Sequence, residues 1–97
     1  MIGVLVTFTQ TDKPDRSTLA KIAGEERGKF EGMSGLRFKT FTVDDDGQAR
    51  SFYLWDDEEK ARAFFTEEIV DMVTGIYGAP PKIEYFDVLE LVDNSGT

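Results

Sequence analysis

The sequence predicts an α+β fold in which a four-stranded antiparallel sheet has two helices on one face. Three observations support this prediction. Apolar residues alternate with other residues in strand-like stretches, two further stretches have helical spacing, and an Asp-Gly pair separates the two middle strands. The predicted order of elements is β-α-β-β-α-β, which is the split βαβ or ferredoxin-like arrangement.

The first strand is predicted over residues 2–9, where apolar side chains occupy every second position. A helix follows over about 15–31, and either Asp12 or Asp15 can cap its first turn. The apolar residues of this helix share one face. They are Leu19, Ile22, Ala23 and Phe30. Because Glu26 falls in the middle of the same face, the sequence predicts a carboxylate that points toward the sheet.

The second and third strands are predicted to form a hairpin. The second strand spans 36–43, and strand alternation places Leu36 and Phe38 on one face and Arg37 and Lys39 on the other. The turn follows at 44–47, where Gly47 supplies the positive φ that a tight hairpin turn requires.

The third strand, 51–55, places Ser51, Tyr53 and Trp55 on one face and leads directly into a helix. Asp56 is predicted to cap this helix, with Glu59 completing a capping box.

The second helical region contains a further cap at Thr66, so one kinked helix or two short helices are both compatible with the sequence. Gly78 is predicted to end the helix, since Pro80 and Pro81 cannot continue it. The last strand is predicted over 82–92, followed by a tail.

The composition limits the classes of function. The 97 residues suit a single domain, 1–97, and no apolar run approaches the length of a membrane span. With no signal-peptide pattern, a cytoplasmic location is expected. The net charge of −8 disfavours binding to nucleic acid or anionic lipid. Since the chain has no cysteine and no histidine, no metal site is expected.

Two alternative interpretations of the middle strands fail. A calcium loop around the acidic turn requires acidic ligands where Thr42 and Tyr53 stand. An RNA-recognition motif on the third strand requires glycine where Ser51 stands, and the net charge has the wrong sign.

Both faces of the predicted sheet are apolar. The last strand alternates Ile83 and Tyr85 against Phe86 and Val88, and Leu5 faces away from Val4. Helices on one side cannot cover the other face, so we expect a homodimer in which two sheets pack face to face.

Several segments resemble the dimeric α/β-barrel superfamily and, within it, small proteins of the YdhR type that are assigned as monooxygenases by similarity. The segments are Gly35-Leu36-Arg37-Phe38-Lys39, Phe52-Tyr53-Leu54-Trp55, Tyr77-Gly78-Ala79-Pro80-Pro81-Lys82-Ile83-Glu84-Tyr85-Phe86 and Leu91-Val92-Asp93-Asn94. The resemblance implies a ligand pocket between helices and sheet, and it extends to cofactor-free oxygenases that act on electron-rich aromatic compounds.

Within such a pocket, Glu26 is the candidate general base and Lys39 the candidate group that stabilises an oxyanion. The candidate substrate-binding residues are Tyr53, Trp55, Arg37, Phe30 and Tyr77. Simpler roles are also compatible with these residues. Glu26 can form a surface ion pair with Lys39 or Arg37, and the aromatic residues can be ordinary core.

Two functions follow. The first is an enzyme, a cofactor-independent monooxygenase-like protein for a small planar aromatic or enolisable substrate. The second is a non-catalytic homodimer, small-molecule-binding or stress-related, whose cavity holds a metabolite or is filled by side chains. A pocket of ~300 Å³ or more with converging polar groups favours ligand binding.

Overall fold

A computed structural model of the protein describes residues 1–9 and 14–95. The elements are β1 (Ile2–Thr7), α1 (Arg16–Phe30), β2 (Leu36–Lys39), β3 (Thr42–Val43), β4 (Ala49–Trp55), α2 (Glu58–Phe64), α3 (Glu67–Tyr77) and β5 (Lys82–Asp87). This order confirms the predicted α+β fold of ferredoxin-like type.

All pairings in the sheet are antiparallel, and its order is β2-β4-β1-β5, with β3 also pairing with β4. The two short strands β2 and β3 together occupy the predicted second strand, 36–43, and both pair with the same neighbour. The acidic turn after β3 forms as predicted. Gly47 has a φ of 80° and donates its N–H to the Asp44 carbonyl at 3.0 Å.

The predicted alternation along the second strand is wrong at its beginning. The register shifts between Leu36, which pairs with Trp55, and Phe38, which pairs with Leu54. Arg37 is therefore the extra residue of a β-bulge. As a result Leu36 packs against the core, while Phe38 lies on the helix-free face of the sheet.

The helix caps agree with the predictions in two places and differ in one. Asp15 caps α1 by accepting from the Thr18 N–H at 2.8 Å, while Asp12 lies outside the described residues. Thr66 caps α3, so the second helical region is two helices. The cap of α2 is Asp57 rather than Asp56, and the predicted capping box is absent from this described helix start.

The shift of this cap has a local cause. The Asp56 N–H donates to the Gly35 carbonyl at 2.8 Å, so Asp56 still takes part in the hydrogen bonding that joins β4 to the residues before β2. Its carboxylate accepts from Arg37 Nε at 2.7 Å. The helix can begin only one residue later.

The last strand is shorter than predicted. It ends at Asp87, which pairs with Ile2, and the Val88 N–H donates to the Met1 carbonyl at 3.3 Å. The pairing thus ends where β1 begins, at Ile2. α3 ends as predicted at Gly78, which has a φ of 85°.

The core lies between the sheet and α2. On the helix side of the sheet Val4, Tyr53 and Trp55 are buried, and Ala61 of α2 is fully buried against them. Phe64 and Phe65 close this region with ring contacts to Tyr53 and Trp55.

The opposite face of the sheet has no helix among the described elements, yet it is apolar as predicted. Leu54 is buried there, Leu5 and Phe52 are half-buried, and Phe38 and Phe86 are 42% and 46% exposed. The ring of Phe52 lies directly over Gly3, where a Cβ atom would be only 2.7 Å from it. None of the described helices is long and apolar enough to cross a membrane.

Candidate functional site

A cavity of about 670 Å³ lies between α1, α3 and the sheet. Its walls are mostly apolar. The residues that form them are Phe8, Leu19, Ala20, Ala23, Phe30, Phe41, Val43, Ala49, Phe64, Ile69, Met72, Val73 and Ile76. Polar groups enter the cavity at a few points, among them Glu26, Lys39, Tyr53 and Tyr77. Its volume and lining are those of a small-molecule site.

The cavity exists because α1 does not pack tightly onto the sheet. No residue of this described helix is buried, and two of the positions that face the cavity are the small residues Ala20 and Ala23. A long side chain at either position would fill part of the space. α3 closes the other side with Ile69, Met72 and Val73, which follow helical spacing.

Glu26 lines the cavity, as its position on the apolar face of α1 predicts. Its side chain is 34% exposed, and Oε2 lies 2.8 Å from Lys29 Nζ one turn further along the helix. The ion-pair partner is therefore Lys29 and not the predicted Lys39 or Arg37. The carboxylate remains close enough to affect the ionisation of Lys39, Tyr53 and Tyr77.

Lys39 extends from β2 into the cavity and lies among aromatic rings. Its Nζ is 3.7 Å from the ring centre of Phe30, 4.1 Å from that of Phe41 and 4.6 Å from that of Tyr53. Burial lowers the pKa of Lys39 from its ordinary value of 10.5 to about 7, against the opposing effect of the Glu26 charge. Neutral and protonated lysine therefore coexist near neutral pH.

The two tyrosine hydroxyls of the site keep their protons. Burial raises the pKa of Tyr53, with smaller contributions from Tyr77 and Glu26. Burial and Glu26 likewise raise the pKa of Tyr77, whose ring packs against Phe8 at 4.8 Å between centres. Both groups are consequently available as hydrogen-bond donors at neutral pH.

Phe30 lies at the end of α1 and joins the cavity to the core. Its ring contacts Phe41 and Tyr53 edge-on at 6.1 Å and Phe64 at 5.8 Å. The structure thus brings together five of the seven predicted site residues. These are Glu26, Lys39, Tyr53, Phe30 and Tyr77.

The other two predicted site residues lie outside this cavity. Trp55 stacks on Tyr53 at 6.3 Å but is 1% exposed and borders a separate shallow recess with Met33 and Lys60. Its indole N–H has no hydrogen-bond partner among the described residues. Arg37 is on the surface, paired with Asp56.

Several cavity residues were not singled out from the sequence as site residues. They include Lys29, Phe41, Ser51 and the apolar face of α3, of which Ile69, Met72, Val73 and Ile76 are the members. Their regular spacing at i, i+3, i+4 and i+7 indicates a helix face that meets an apolar surface. No sequence signal distinguishes such a face over a cavity from one over a core.

The described residues contain no group of three or more His, Cys, Asp or Glu that could hold a metal ion. That no cofactor is needed stays a prediction.

The fold defines a class: small α+β proteins of ferredoxin-like topology. Solved structures of this class match the chain. A monooxygenase of Streptomyces coelicolor from the gene ActVA-Orf6, in complex with the ligand nanaomycin D, superposes with a TM-score of 0.71 at 18% identity, covering 97% of this chain and 92% of that one.

Two further structures illustrate the range of the class. A protein of unknown function from Nitrosomonas europaea, NE2512, has a TM-score of 0.75 at 16% identity, covering 98% of this chain and 95% of that one. SnoaB, a cofactor-independent oxygenase from Streptomyces nogalater, has a TM-score of 0.65 at 13% identity, covering 94% of this chain and 95% of that one. No protein-family profile and no curated protein matches the sequence. At these identities the likeness establishes the fold.

Proposed function

We propose that this protein is a cofactor-independent monooxygenase that oxidises a small planar aromatic or enolisable compound inside the cavity. The observation that supports the proposal most directly is the convergence of Glu26, Lys39, Tyr53 and Tyr77 on one apolar chamber of about 670 Å³. The fold is also shared with proteins described as a monooxygenase and as a cofactor-independent oxygenase.

The aromatic walls position the substrate. Phe30, Phe41 and Tyr53 present ring surfaces around Lys39, and a planar substrate can stack against such surfaces. Glu26 removes a proton from the substrate, and the protonated form of Lys39 stabilises the oxyanion that results. The hydroxyl groups of Tyr53 and Tyr77 donate hydrogen bonds to the same oxygen.

The oxidation balances without an external reductant, because the substrate supplies the electrons. Proton removal from an activated CH₂ group gives a carbanion that transfers electrons to O₂ and forms a C–O bond. Cleavage of the O–O bond then yields a carbonyl group and one water molecule. One oxygen atom ends in the product and the other leaves with the two hydrogens of the CH₂ group.

The proposal is tested by oxygen consumption with a panel of phenols, hydroquinones and anthrone-type compounds. Glu26→Gln is expected to lower kcat by ~100-fold or more if Glu26 is the base. Glu25→Gln is the matched control, because Glu25 is the neighbouring exposed residue of the same helix. Equal rates for the wild type and Glu26→Gln would refute the role of Glu26, and no consumption with any compound would refute the reaction.

We also propose that the helix-free face of the sheet forms a homodimer. Its support is the exposed apolar side chains of Phe38 and Phe86, which a single copy leaves in water. Phe38→Glu is expected to produce monomers in sedimentation at low micromolar concentration. Phe41→Glu is the control, since Phe41 is equally exposed, at 40%, but lies on the cavity. A wild-type monomer under these conditions would overturn the dimer.

A second candidate function is binding without catalysis, in which the same cavity holds an aromatic metabolite. The Glu26–Lys29 ion pair favours this alternative, because the carboxylate that would remove the substrate proton is already bound to a neighbouring ammonium group at 2.8 Å. Saturable binding of an aromatic probe, measured by calorimetry, together with no oxygen consumption would support this function over the first.

A further inference from the structure

Lys39 has an environment that ordinary surface lysines lack. Its amine lies inside an apolar cavity and contacts three ring faces at 3.7–4.6 Å. It has no ion pair among the described residues, because the nearby Glu26 carboxylate is bound to Lys29. An amine held in apolar surroundings with a chamber in front of it is arranged for attack on a bound carbonyl compound.

We infer that Lys39 is a covalent binding site for apolar aldehydes, aromatic aldehydes above all, which it captures as an imine within the cavity. The inference requires the cavity and the amine of Lys39, and it requires no oxygenase reaction. It therefore adds a chemical class of ligand to the site and stands independently of the proposed monooxygenase function.

The condensation balances with water as the only other product. The lone pair of the neutral amine forms a C–N bond, and the carbonyl π electrons move to oxygen, which takes up a proton. Loss of water then forms the C=N bond. Both hydrogens of this water come from the amine, whose protons exchange with those of the solvent. The hydroxyls of Tyr53 and Tyr77, which remain protonated, can donate to the departing oxygen.

The cavity favours the imine over the free aldehyde because it receives the aryl group. The rings of Phe30, Phe41 and Tyr53 surround the amine, so an aryl group attached to Lys39 lies against aromatic surfaces.

The ionisable groups around Lys39 set the pH at which the amine is neutral. Glu26 and Lys29 face it from α1, Tyr53 from β4 and Tyr77 from α3. The remaining charged residues of the lining are Arg16 and Arg50, which are paired with Asp45 and Asp44. Burial outweighs the attraction of Glu26, so the neutral amine is abundant near pH 7.

The experiment is trapping of the imine with cyanoborohydride. The full-length protein is incubated with substoichiometric 2-naphthaldehyde at pH 7, the C=N bond is reduced to a stable secondary amine, and peptide mapping locates the label. We expect at least 10-fold more label on Lys39 than on Lys21, Lys60 or Lys82, which are exposed. Labelling of Lys39 should be half-maximal near pH 7.

Two variants test whether the label depends on the amine of Lys39. Lys39→Met removes the nucleophile, and Lys39→Arg keeps a positive charge that cannot condense; both should lose the major label. Lys21→Met should keep it. Label spread evenly over the lysines, or a Lys39 pH profile equal to that of Lys21, would overturn the inference. Because trapping needs no oxygen consumption, a failed oxygenase assay with Lys39 labelled would refute only the proposed reaction.

Discussion

The helical layer on one face of the sheet is filled at one end and hollow at the other. Under α2, Ala61 is fully buried and the aromatic rings of Trp55, Phe64 and Phe65 close the space. Under α1 and α3, the same layer encloses a cavity of about 670 Å³. The difference indicates that the close packing that stabilises the fold and the candidate ligand cavity lie at different ends of one layer.

The side chains explain this division. The filled end combines a small helix residue, which allows close approach, with large aromatic residues beside it. The hollow end has Ala20 and Ala23 on the helix face, and it has the polar groups of Glu26 and Lys39 where a core would have apolar ones. Lys39 is half-buried and has no ion pair among the described residues, which reduces stability, so its presence at this end favours a functional explanation.

The largest expected effect is at the filled end. Trp55→Ala removes a side chain that is 1% exposed and should lower the free energy of unfolding by about 3–5 kcal/mol. Met72→Ala at the hollow end, where the side chain is 49% exposed, should cost roughly 1 kcal/mol or less. Urea unfolding at one fixed protein concentration measures both, and equal losses would contradict the division into two ends.

A matched pair of substitutions tests the same comparison by adding volume. Ala61→Leu introduces a larger side chain where no space exists and should destabilise by about 1–3 kcal/mol. Ala23→Leu extends into the cavity, so stability should change by roughly 1 kcal/mol or less while affinity for an aromatic probe falls by ~10-fold. Calorimetric titration supplies the affinity. Unchanged binding by Ala23→Leu would argue against the cavity as the ligand site.

The half-buried Lys39 predicts a pH dependence of stability. Burial lowers the pKa of Lys39 to about 7 in the folded protein, below its ordinary value of 10.5. Above pH 7 the unfolded chain binds more protons than the folded protein, so this group makes stability rise between pH 7 and about 10.5. Lys39→Met should remove that rise and stabilise the protein at pH 7 by roughly 1–3 kcal/mol.

Lys21→Met is the control for this pH dependence, because Lys21 is exposed on α1. Lys21→Met should show the same rise in stability with pH as the wild type. A wild-type profile that is flat between pH 7 and 9 would show that Lys39 is better solvated than its contacts indicate.

The smallest effect is expected outside both ends of the layer. Arg37 forms an exposed ion pair with Asp56, and exposed pairs contribute about 0.2–1 kcal/mol. Arg37→Ala should therefore change stability by less than ~1 kcal/mol and leave probe affinity unchanged. A loss of affinity above about 3-fold would show that Arg37 belongs to the ligand site.

Much of the candidate site could be predicted because helical and strand periodicity fix the direction of a side chain. Helical spacing placed Glu26 and Phe30 on the face that meets the cavity, and strand alternation placed Lys39 and Tyr53 there. Arg37 was misplaced because a bulge inserts one residue and reverses the faces before it. No turn residue or motif marks the bulge, whereas Glu26 and Lys29 do have the i, i+3 spacing of a helical ion pair.

The sequence by itself determined the order of strands and helices, the turn at Gly47, the end of α3 at Gly78 and the apolar character of both sheet faces, because these depend on neighbouring residues and on periodicity. Only the tertiary structure decided that α2 lies tight against the sheet while α1 leaves a chamber beneath it. That distance depends on how side chains from separate elements fill a shared volume, and such packing is a property of the assembled fold. The same packing places Trp55 beyond the cavity and the amine of Lys39 inside it.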